Sequence, residues 1–285
     1  MSILKKALIK ASGNRFIQSV LEKNVQASQD LMGIGSGGGV LSSGEQAIFY
    51  VLKQRLKSPY CIFDVGSNKG QFLQLILDNI KVDDFSIHCF EPGHETFKTL
   101  VKSSKEDKRI KLNNIGIGKA KGEAVLHFNS VGSGLASLTR RRLDHFGIDF
   151  NNSEKVEINT IDNYCSENAI KHIHLLKIDI EGHELDALAG ARRMFDNKSI
   201  EIVTFEFGGC NIDTRTFFQD FWYFFIEINM KIFRITPSGY LYPIESYKEI
   251  YEQFRTTNFI AMWAMITILW NLVQKENIFD TATTN

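Results

Sequence analysis

The 285-residue sequence lacks the paired cysteines that a disulfide framework or a zinc site requires. Its four cysteines are scattered, and none forms a C-x-x-C pair; they are Cys61, Cys89, Cys165 and Cys210. Cys61 and Cys89 lie within apolar runs, where a thiol behaves as a small hydrophobic side chain. These features favour a reducing compartment, and we predict that the protein is cytoplasmic.

The sequence also lacks an excess of charge of either sign. Lys plus Arg and Asp plus Glu each number 33, so the formal net charge is zero. No overall electrostatic field therefore draws the chain to polyanions, and we expect no nucleic-acid partner, although a local basic patch at 140–142 is compatible with a minor role. Hydrophobic residues make up 44% of the chain, so most of it is expected to fold around a core.

Long uninterrupted apolar segments are missing too. The N-terminal segment 1–12 has apolar residues at helical spacing, but lysines interrupt it, unlike the apolar core of a signal peptide. Packing on the body of the protein is the expected role of this segment, and contact with a membrane surface is the alternative. The apolar stretch 259–273 has about 15 residues, short of the roughly 20 that span a bilayer, so we predict a buried strand running into a helix and no transmembrane segment.

The pattern along the chain predicts an α/β protein with a parallel sheet. A helical segment over the first 30 residues precedes a glycine-rich loop at 33–39, and 42–45 has the spacing of a capping box before a helix at about 44–56. From Tyr60 onward, apolar runs alternate with segments of helical period, which indicates βαβ units covered by helices on both faces of the sheet. The apolar runs are 60–65, 85–90, 110–117, 173–180, 200–207, 230–235 and 257–263, and the helical segments are about 70–80, 93–103, 184–195 and 214–227.

Residues 122–160 interrupt this alternation. Two strand-like segments, GEAVLHFN and EKVEINTI, flank a polar loop that contains SVGSGLASL. We interpret the whole segment as an excursion near the edge of the sheet that covers a ligand.

A glycine turn follows the first predicted strand and marks a ligand site. Strand 60–65 leads into the turn 66–70, which precedes a helix. Ligands of parallel sheets bind at the carboxyl ends of the strands, and Gly66 lets a ligand approach the main chain closely. Asp64 ends the same strand, and Glu91 ends the next one, where a carboxylate is placed to accept hydrogen bonds from the two hydroxyls of a ribose. The turn and Glu91 together indicate a nucleoside site.

The class of nucleoside follows from the form of the turn. Gly33, Gly35 and Gly38 match the dinucleotide string G-x-G-x-x-G, but no strand precedes them, so the required context is missing. A phosphate-binding G-x-x-x-x-G-K-[ST] loop is absent from the sequence as well. A turn with an acidic residue and no G-x-G suits a cofactor with a sulfonium and no phosphate, which predicts S-adenosylmethionine. A nucleotide-dependent, sugar-modifying oxidoreductase and a non-catalytic binding protein remain the alternatives.

Ionisable residues cluster where the strand near residue 178 ends. Asp179, Glu181, His183 and Glu184 lie within six residues at this catalytic edge, and Glu206 closes the next strand. The alternative is that the acidic members stabilise the positive end of the following helix. His183 is the first choice for a general base because its reference pKa lies nearest neutrality, and Asp179 is the second, as base or orienting group. We predict no metal, and a divalent ion held by Asp179, Glu181 and Glu206 is the less favoured alternative.

Four segments of the sequence resemble the FkbM family of S-adenosylmethionine-dependent methyltransferases. They are FDVGSNKG (63–70), FEP (90–92), LKIDIEGHELDALAGA (176–191) and the strand that ends in Phe205-Glu206-Phe207, and the lead-in GIGSGGGVLSSGE (33–45) is similar as well. The resemblance implies a class I methyltransferase fold, a Rossmann-like three-layer sandwich with a seven-stranded, mostly parallel sheet whose last strand is antiparallel. It also implies O-methylation of a hydroxyl on a sugar, glycan or polyketide-like acceptor.

The resemblance also assigns roles to residues. The cofactor turn would be shaped by Asp64, Gly66, Asn68 and Gly70; Glu91 would bind the ribose; Asn114 and Ile115 would lie near the adenine; and Asp179 would face the substrate. Ser67, Asn68 and Lys69 depart from the alternating glycines of the general methyltransferase turn, which leaves the contacts to the methionine end open. We accordingly divide the chain into a helical extension with a glycine-rich loop at 1–43 and a methyltransferase domain at 44–285.

Overall fold

The structure is a computed structural model that describes residues 2–81, 84–104 and 107–264. Its helices are α1 (Ile3–Ala11), α2 (Arg15–Leu31), α3 (Gln46–Arg55), α4 (Gln71–Asn79), α5 (His94–Ser103), α6 (Ile161–Glu167), α7 (Glu184–Ala189), α8 (Arg192–Asp196), α9 (Cys210–Thr214) and α10 (Phe218–Glu227). Its strands are β1 (Tyr60–Val65), β2 (Phe85–Phe90), β3 (Ile110–Asn113), β4 (Gly116–Ile117), β5 (Gly122–Phe128), β6 (Asn152–Asn159), β7 (Ile173–Ile178), β8 (Ile200–Phe207), β9 (Met230–Ile235), β10 (Leu241–Ile244) and β11 (Thr257–Trp263).

The central sheet has the strand order β10-β9-β11-β8-β7-β1-β2-β3. Strands β1, β2, β3, β7 and β8 pair in parallel, whereas β11 is antiparallel to both of its neighbours, β8 and β9. The predicted seven-stranded sheet with an antiparallel last strand is therefore confirmed. The short strand β10 pairs with β9 as a hairpin and adds an eighth strand that the sequence did not predict.

Helices cover both faces of this sheet, which confirms the three-layer sandwich. One apolar core lies under α3, α4 and α5, and the other lies under α6, α7, α8 and α10. In the second core, Phe205 of β8 stacks on Phe221 with ring centroids 4.7 Å apart and also contacts Phe225 and Phe259. The sheet is therefore packed between two apolar cores, and its carboxyl edge can position side chains for a ligand.

A second, three-stranded sheet of order β4-β6-β5 accounts for the interruption at 122–160. The predicted strand at 110–117 is divided between the two sheets, because β3 pairs with β2 whereas β4 pairs with β6. The predicted helix at 184–195 is divided at Gly190, where the carbonyl oxygen of Gly118 comes so close that an added Cβ would lie 2.1 Å from it. The predicted helix at about 214–227 begins later, at Phe218 of α10, and the short helix α9 precedes it.

The N-terminal part differs from its prediction in detail. The predicted helix over the first 30 residues is broken between α1 and α2, and no residue of either helix is buried. Arg255 holds the end of α2 through an ion pair of 2.8 Å with Asp30, so packing on the body is limited to that end. The predicted capping box is wrong: Ser43 donates to the carboxylate of Glu45 and does not cap α3. Division of the chain at residue 43 stays a prediction.

Among the described residues, no helix is long and apolar enough to cross a bilayer. Strand β11 confirms the first part of the predicted strand and helix at 259–273, and the rest of that stretch, from residue 265, lies outside the described residues.

Candidate active site

A cavity of about 360 Å³ opens at the carboxyl edge of the central sheet. Its floor comes from the residues that follow β1, β2, β7 and β8, which are the segments in which the sequence predicted ligand-binding residues. Its walls include Gly37 and Gly38 of the glycine-rich loop and residues 133–138 of the excursion. The volume lies within the range of small-molecule and cofactor sites, and the loop at 133–138 lies over it as expected of a covering segment.

The main chain of the turn after β1 is in direct contact with the main chain of the residues after β7. Gly66 has φ +84°, and a Cβ there would lie 1.8 Å from the carbonyl oxygen of Asp179. Hydrogen bonds hold both sides of this contact: the Gly66 N–H donates to Phe90 over 3.0 Å, and the Asp179 N–H donates to Val65 over 3.0 Å. Only glycine satisfies both the backbone angle and the contact.

Glu91 lies on the cavity wall beside this turn. One of its carboxylate oxygens accepts a hydrogen bond from the N–H of Asn68 over 3.0 Å, and the other accepts from the N–H of Gly93 over 2.8 Å. Burial raises the pKa of Glu91 to about 7, although the two N–H donors favour the charged form. Each oxygen keeps a free lone pair, so the carboxylate can still accept hydrogen bonds from a bound ribose.

We expect the affinity for S-adenosylhomocysteine to depend on pH through Glu91. On the prediction that the ionised carboxylate accepts the ribose hydrogen bonds, affinity should be full well above pH 7 and should be lost as the pH falls through the pKa of about 7. Between pH 8 and pH 6 the ionised fraction falls about tenfold, and Kd should rise by a similar factor. Fluorescence or calorimetric titration at several pH values measures this slope. In Glu91→Gln the slope should disappear; a slope retained in that variant would remove Glu91 from ribose binding.

The two residues assigned to the adenine, Asn114 and Ile115, do not line the cavity. Asn114 donates its amide hydrogens to the carbonyl oxygens of Glu91 and Pro92, and Ile115 packs into the core. The chain reaches the cavity at the next two residues, Gly116 and Ile117 of β4. The residues at the cavity are thus two positions further along the chain than predicted. The shift arises because the chain breaks between β3 and β4, whereas the sequence predicted one unbroken strand at 110–117.

Asp64 lies beneath the cavity rather than on its wall. Its side chain is fully buried, and neither carboxylate oxygen has a hydrogen-bond partner among the described residues. Burial raises the pKa of Asp64, and the ammonium group of Lys177, 3.9 Å away, opposes that effect. Asp64 therefore lies under the turn and pairs with Lys177. Gly66 and Asn68 supply the surface of the turn that faces the cavity, and Gly70, at φ +93°, is the residue before α4.

Three carboxylates meet on the other side of the cavity. One oxygen from each of Asp179, Glu181 and Glu206 lies within 4.8 Å of those of the other two. Lys177 donates to Asp179 over 3.0 Å, and Arg141 donates to Glu181 over 2.5 Å. Burial and the charge of Asp179 raise the pKa of Glu181 to about 8 and that of Glu206 well above its usual value.

His183 and Glu184, the other members of the predicted cluster, are turned away from the cavity. The two ring nitrogens of His183 are hydrogen-bonded to Thr139 over 3.0 Å and to Asp186 over 2.9 Å. Glu184 accepts hydrogen bonds from the N–H groups of Ile180 and Gly182, each over 3.1 Å, and so shapes the loop before α7. The loop has positive φ at Glu181 and Gly182. The residues before this turn line the cavity, whereas His183 and Glu184 after it do not.

Several cavity residues were not predicted as site residues. Arg141 and Lys177 are buried cations beside the carboxylates, Glu45 reaches the cavity from the residue before α3, and Asn258 reaches it from β11. A charged residue inside an apolar strand, as in the LLKID of β7, was the one available signal, since a buried lysine needs an acidic partner. The others depend on tertiary contacts that sequence spacing does not report.

The strand order of the central sheet and the cavity at its carboxyl edge define a class I methyltransferase fold. Residues 64–242 match the family model of the methyltransferase FkbM domain. Because this match covers more than half of the chain, the chain belongs to the FkbM methyltransferase family, and the predicted family is confirmed.

Individual relatives are more distant. The chain is 27% identical to 2-O-methyltransferase NoeI of Sinorhizobium fredii (strain NBRC 101917 / NGR234) over 145 residues, which are 46% of this chain and 57% of that protein. The chain thus spans little more than half the length of this relative. Among solved structures, methyltransferase FkbM from Methylobacillus flagellatus KT is similar with a TM-score of 0.46 at 17% identity, over 75% of this chain and 47% of that one. The plantazolicin methyltransferase BpumL in complex with SAH has a TM-score of 0.43 at 10% identity, over 88% and 91% of the two chains.

Proposed function

We propose that this protein transfers a methyl group from S-adenosylmethionine to a hydroxyl of a sugar, glycan or polyketide-like acceptor. The observation that carries the proposal is that one cavity holds both a nucleoside-type turn, Gly66 with Glu91, and an acidic cluster, Asp179 with Glu206. Family membership supports methyl transfer, and the name of the relative NoeI supports oxygen as the methylated atom. The four cysteines are free, which is compatible with the cytoplasmic location that we predict.

The residues on the turn side fit the cofactor. The close contact at Gly66 leaves main-chain surface, not a side chain, facing the cavity, and the Glu91 carboxylate can accept hydrogen bonds from ribose hydroxyls. Gly116 and Ile117 offer a small apolar surface for the adenine beside Glu91. When bound, S-adenosylmethionine supplies an electrophilic methyl group on a sulfonium.

The acidic side of the cavity fits an acceptor that carries hydroxyl groups. Carboxylates accept hydrogen bonds from hydroxyls, and a fixed acceptor oxygen supplies the alignment on which in-line displacement depends. Glu206 is buried and has no hydrogen-bond partner among the described residues, so its carboxylate, when ionised, is available to take the acceptor proton. Asp179 is held in place by Lys177 and orients the acceptor. His183 is less suited to the base role, because Thr139 and Asp186 occupy its ring nitrogens.

Transfer of a labelled methyl group tests the proposal. We would incubate the full chain with methyl-labelled S-adenosylmethionine and a cell extract separated into nucleotide sugars, lipid-linked glycans, small metabolites, RNA and protein. Label is expected in a carbohydrate or small-metabolite fraction and should survive mild alkali, because an O-methyl ether is stable where a methyl ester is not. The Asp179→Asn variant serves as the control for background transfer.

Other outcomes would point elsewhere. Label recovered only in RNA or protein would contradict the proposed acceptor class. Cofactor binding without transfer to any fraction would favour a non-catalytic binding protein. Binding and oxidation of a nicotinamide cofactor, visible as a change in its fluorescence, would instead favour the oxidoreductase alternative.

A further inference from the structure

The carboxylate cluster of Asp179, Glu181 and Glu206 has the composition of a cation site. Ile178 of β7 pairs in parallel with Phe205 of β8. The residues that follow them, Asp179 and Glu206, therefore lie side by side at the sheet edge. Glu181 reaches the same point from the loop before α7, and one oxygen of each carboxylate lies within 4.8 Å of the others. Oxygen ligands of this kind suit hard divalent cations.

The side-chain cations nearby do not balance the cluster. Lys177 is shared between Asp179, 3.0 Å away, and the buried Asp64, 3.9 Å away. Arg141 is shared between Glu181 and Asp213, the latter over 3.5 Å. Five carboxyl groups, counting Glu206, therefore surround two positive side chains, which is fewer than would neutralise all five carboxyl groups in their ionised form.

A buried polar pair, Glu206 of the cluster and Asn258 opposite it, lines the cavity without a hydrogen-bond partner among the described residues. Glu206 and Asn258 are directly opposite each other on the antiparallel strands β8 and β11, so their side chains lie on the same face of the sheet. They are 8% and 7% exposed, both line the cavity, and neither side chain makes a hydrogen bond or ion pair with another described residue. Buried polar groups are normally satisfied, and a cation with its water ligands would satisfy a carboxylate and an amide oxygen together.

We propose that Asp179, Glu181 and Glu206, with the amide oxygen of Asn258, bind a hard divalent cation of the Mg²⁺ or Mn²⁺ type. Two ligands on opposite sides of Mg²⁺ are about 4.2 Å apart, and those of larger divalent cations are up to about 5 Å apart, so the cluster needs little rearrangement. Lys177 and Arg141 each occupy one carboxylate oxygen, of Asp179 and Glu181 respectively, and all three carboxylate residues line the cavity.

The catalytic role of the cation rests on the proposed methyl transfer. Binding of the cation to the cluster does not depend on that proposal. A cation at this point lowers the pKa of an acceptor hydroxyl that contacts it. The acceptor O–H bond then breaks with its proton passing to a carboxylate of the cluster, the new O–CH3 bond forms, and the S–CH3 bond of the donor breaks.

Electron paramagnetic resonance of Mn²⁺ tests the binding directly. Titration of the full chain with MnCl2 is expected to suppress the free-ion signal with one site per chain. Glu206→Gln, which keeps the shape of the side chain, should raise Kd at least tenfold. Glu227→Gln, which removes an exposed carboxylate of α10, should leave Kd unchanged. If Glu206→Gln does not fold, as judged by its circular dichroism, Asn258→Ala replaces it and should also weaken binding.

The same samples separate this inference from the proposed function. Absence of Mn²⁺ binding below millimolar concentration, or equal binding in wild type and in the folded cluster variant, would overturn the cation site. S-adenosylhomocysteine binding should persist in excess EDTA, while methyl transfer should fall at least tenfold and return with Mg²⁺. Transfer that is unaffected by EDTA in a chain that binds no Mn²⁺ would contradict the cation site and leave the methyltransferase proposal standing.

Discussion

Replacement of Gly66 by alanine is expected to remove cofactor binding and to destabilise the fold. The added Cβ would lie 1.8 Å from the carbonyl oxygen of Asp179, and the residue would have to keep φ +84°. Relief of this overlap requires that the hydrogen bond from Asp179 to Val65 or the one from Gly66 to Phe90 be broken at the sheet edge. We expect the free energy of unfolding to fall by more than about 3 kcal/mol and Tm to fall by roughly 10 °C.

Thermal unfolding and calorimetric titration with S-adenosylhomocysteine measure these two effects. Gly122→Ala is the matched control, because a Cβ at that exposed glycine meets no atom within 4 Å. The control should keep both the Tm and the affinity of the wild type. An unchanged Tm in Gly66→Ala would mean that the turn and the residues after β7 are not in contact as described.

Asp179→Asn is expected to reduce turnover by about 10² to 10³-fold while cofactor affinity changes little. The substitution keeps the size of the side chain but removes the charge that pairs with Lys177 and lines the cavity. Steady-state kinetics with the acceptor found by labelling should show the loss in kcat, and S-adenosylhomocysteine titration should show a Kd within about threefold of the wild type.

His183→Ala tests whether the histidine, and not a carboxylate of the cluster, is the general base. Its ring lies off the cavity and contacts Thr139 and Asp186, so we expect turnover within a few-fold of the wild type. A loss as large as that of Asp179→Asn would return the general-base role to His183. Equal, unchanged turnover in both variants would remove both residues from the mechanism.

The sequence was informative where function depends on a local strand, turn and helix. The segment from Tyr60 to Gly70 and the strand that ends at Glu91 carry their own signals, and the rule that ligands bind at carboxyl ends of parallel strands brings them together. The acidic residues Asp179 and Glu181 after the apolar strand likewise predicted a charged cluster. These elements are at the cavity because the topology of the fold places every such strand end at one edge.

The sequence was uninformative where position depends on distant contacts. Asn258 comes to the cavity through the antiparallel pairing of β11 with β8, and Arg141 through an ion pair with Glu181. His183 was favoured for its pKa, yet the loop after Asp179 turns it away because Glu181 and Gly182 have positive φ. Such reversals within a few residues are set by packing and hydrogen bonds, which residue spacing alone does not encode.

One measurement tests the central claim most directly: calorimetric titration of the full chain with S-adenosylhomocysteine and, separately, with NAD⁺ under the same conditions. The turn at Gly66 and the carboxylate of Glu91 predict binding of S-adenosylhomocysteine at one site per chain and no measurable binding of NAD⁺. Binding of NAD⁺, or failure of S-adenosylhomocysteine to bind to the folded chain, would contradict the assignment of this cavity to a methyl donor.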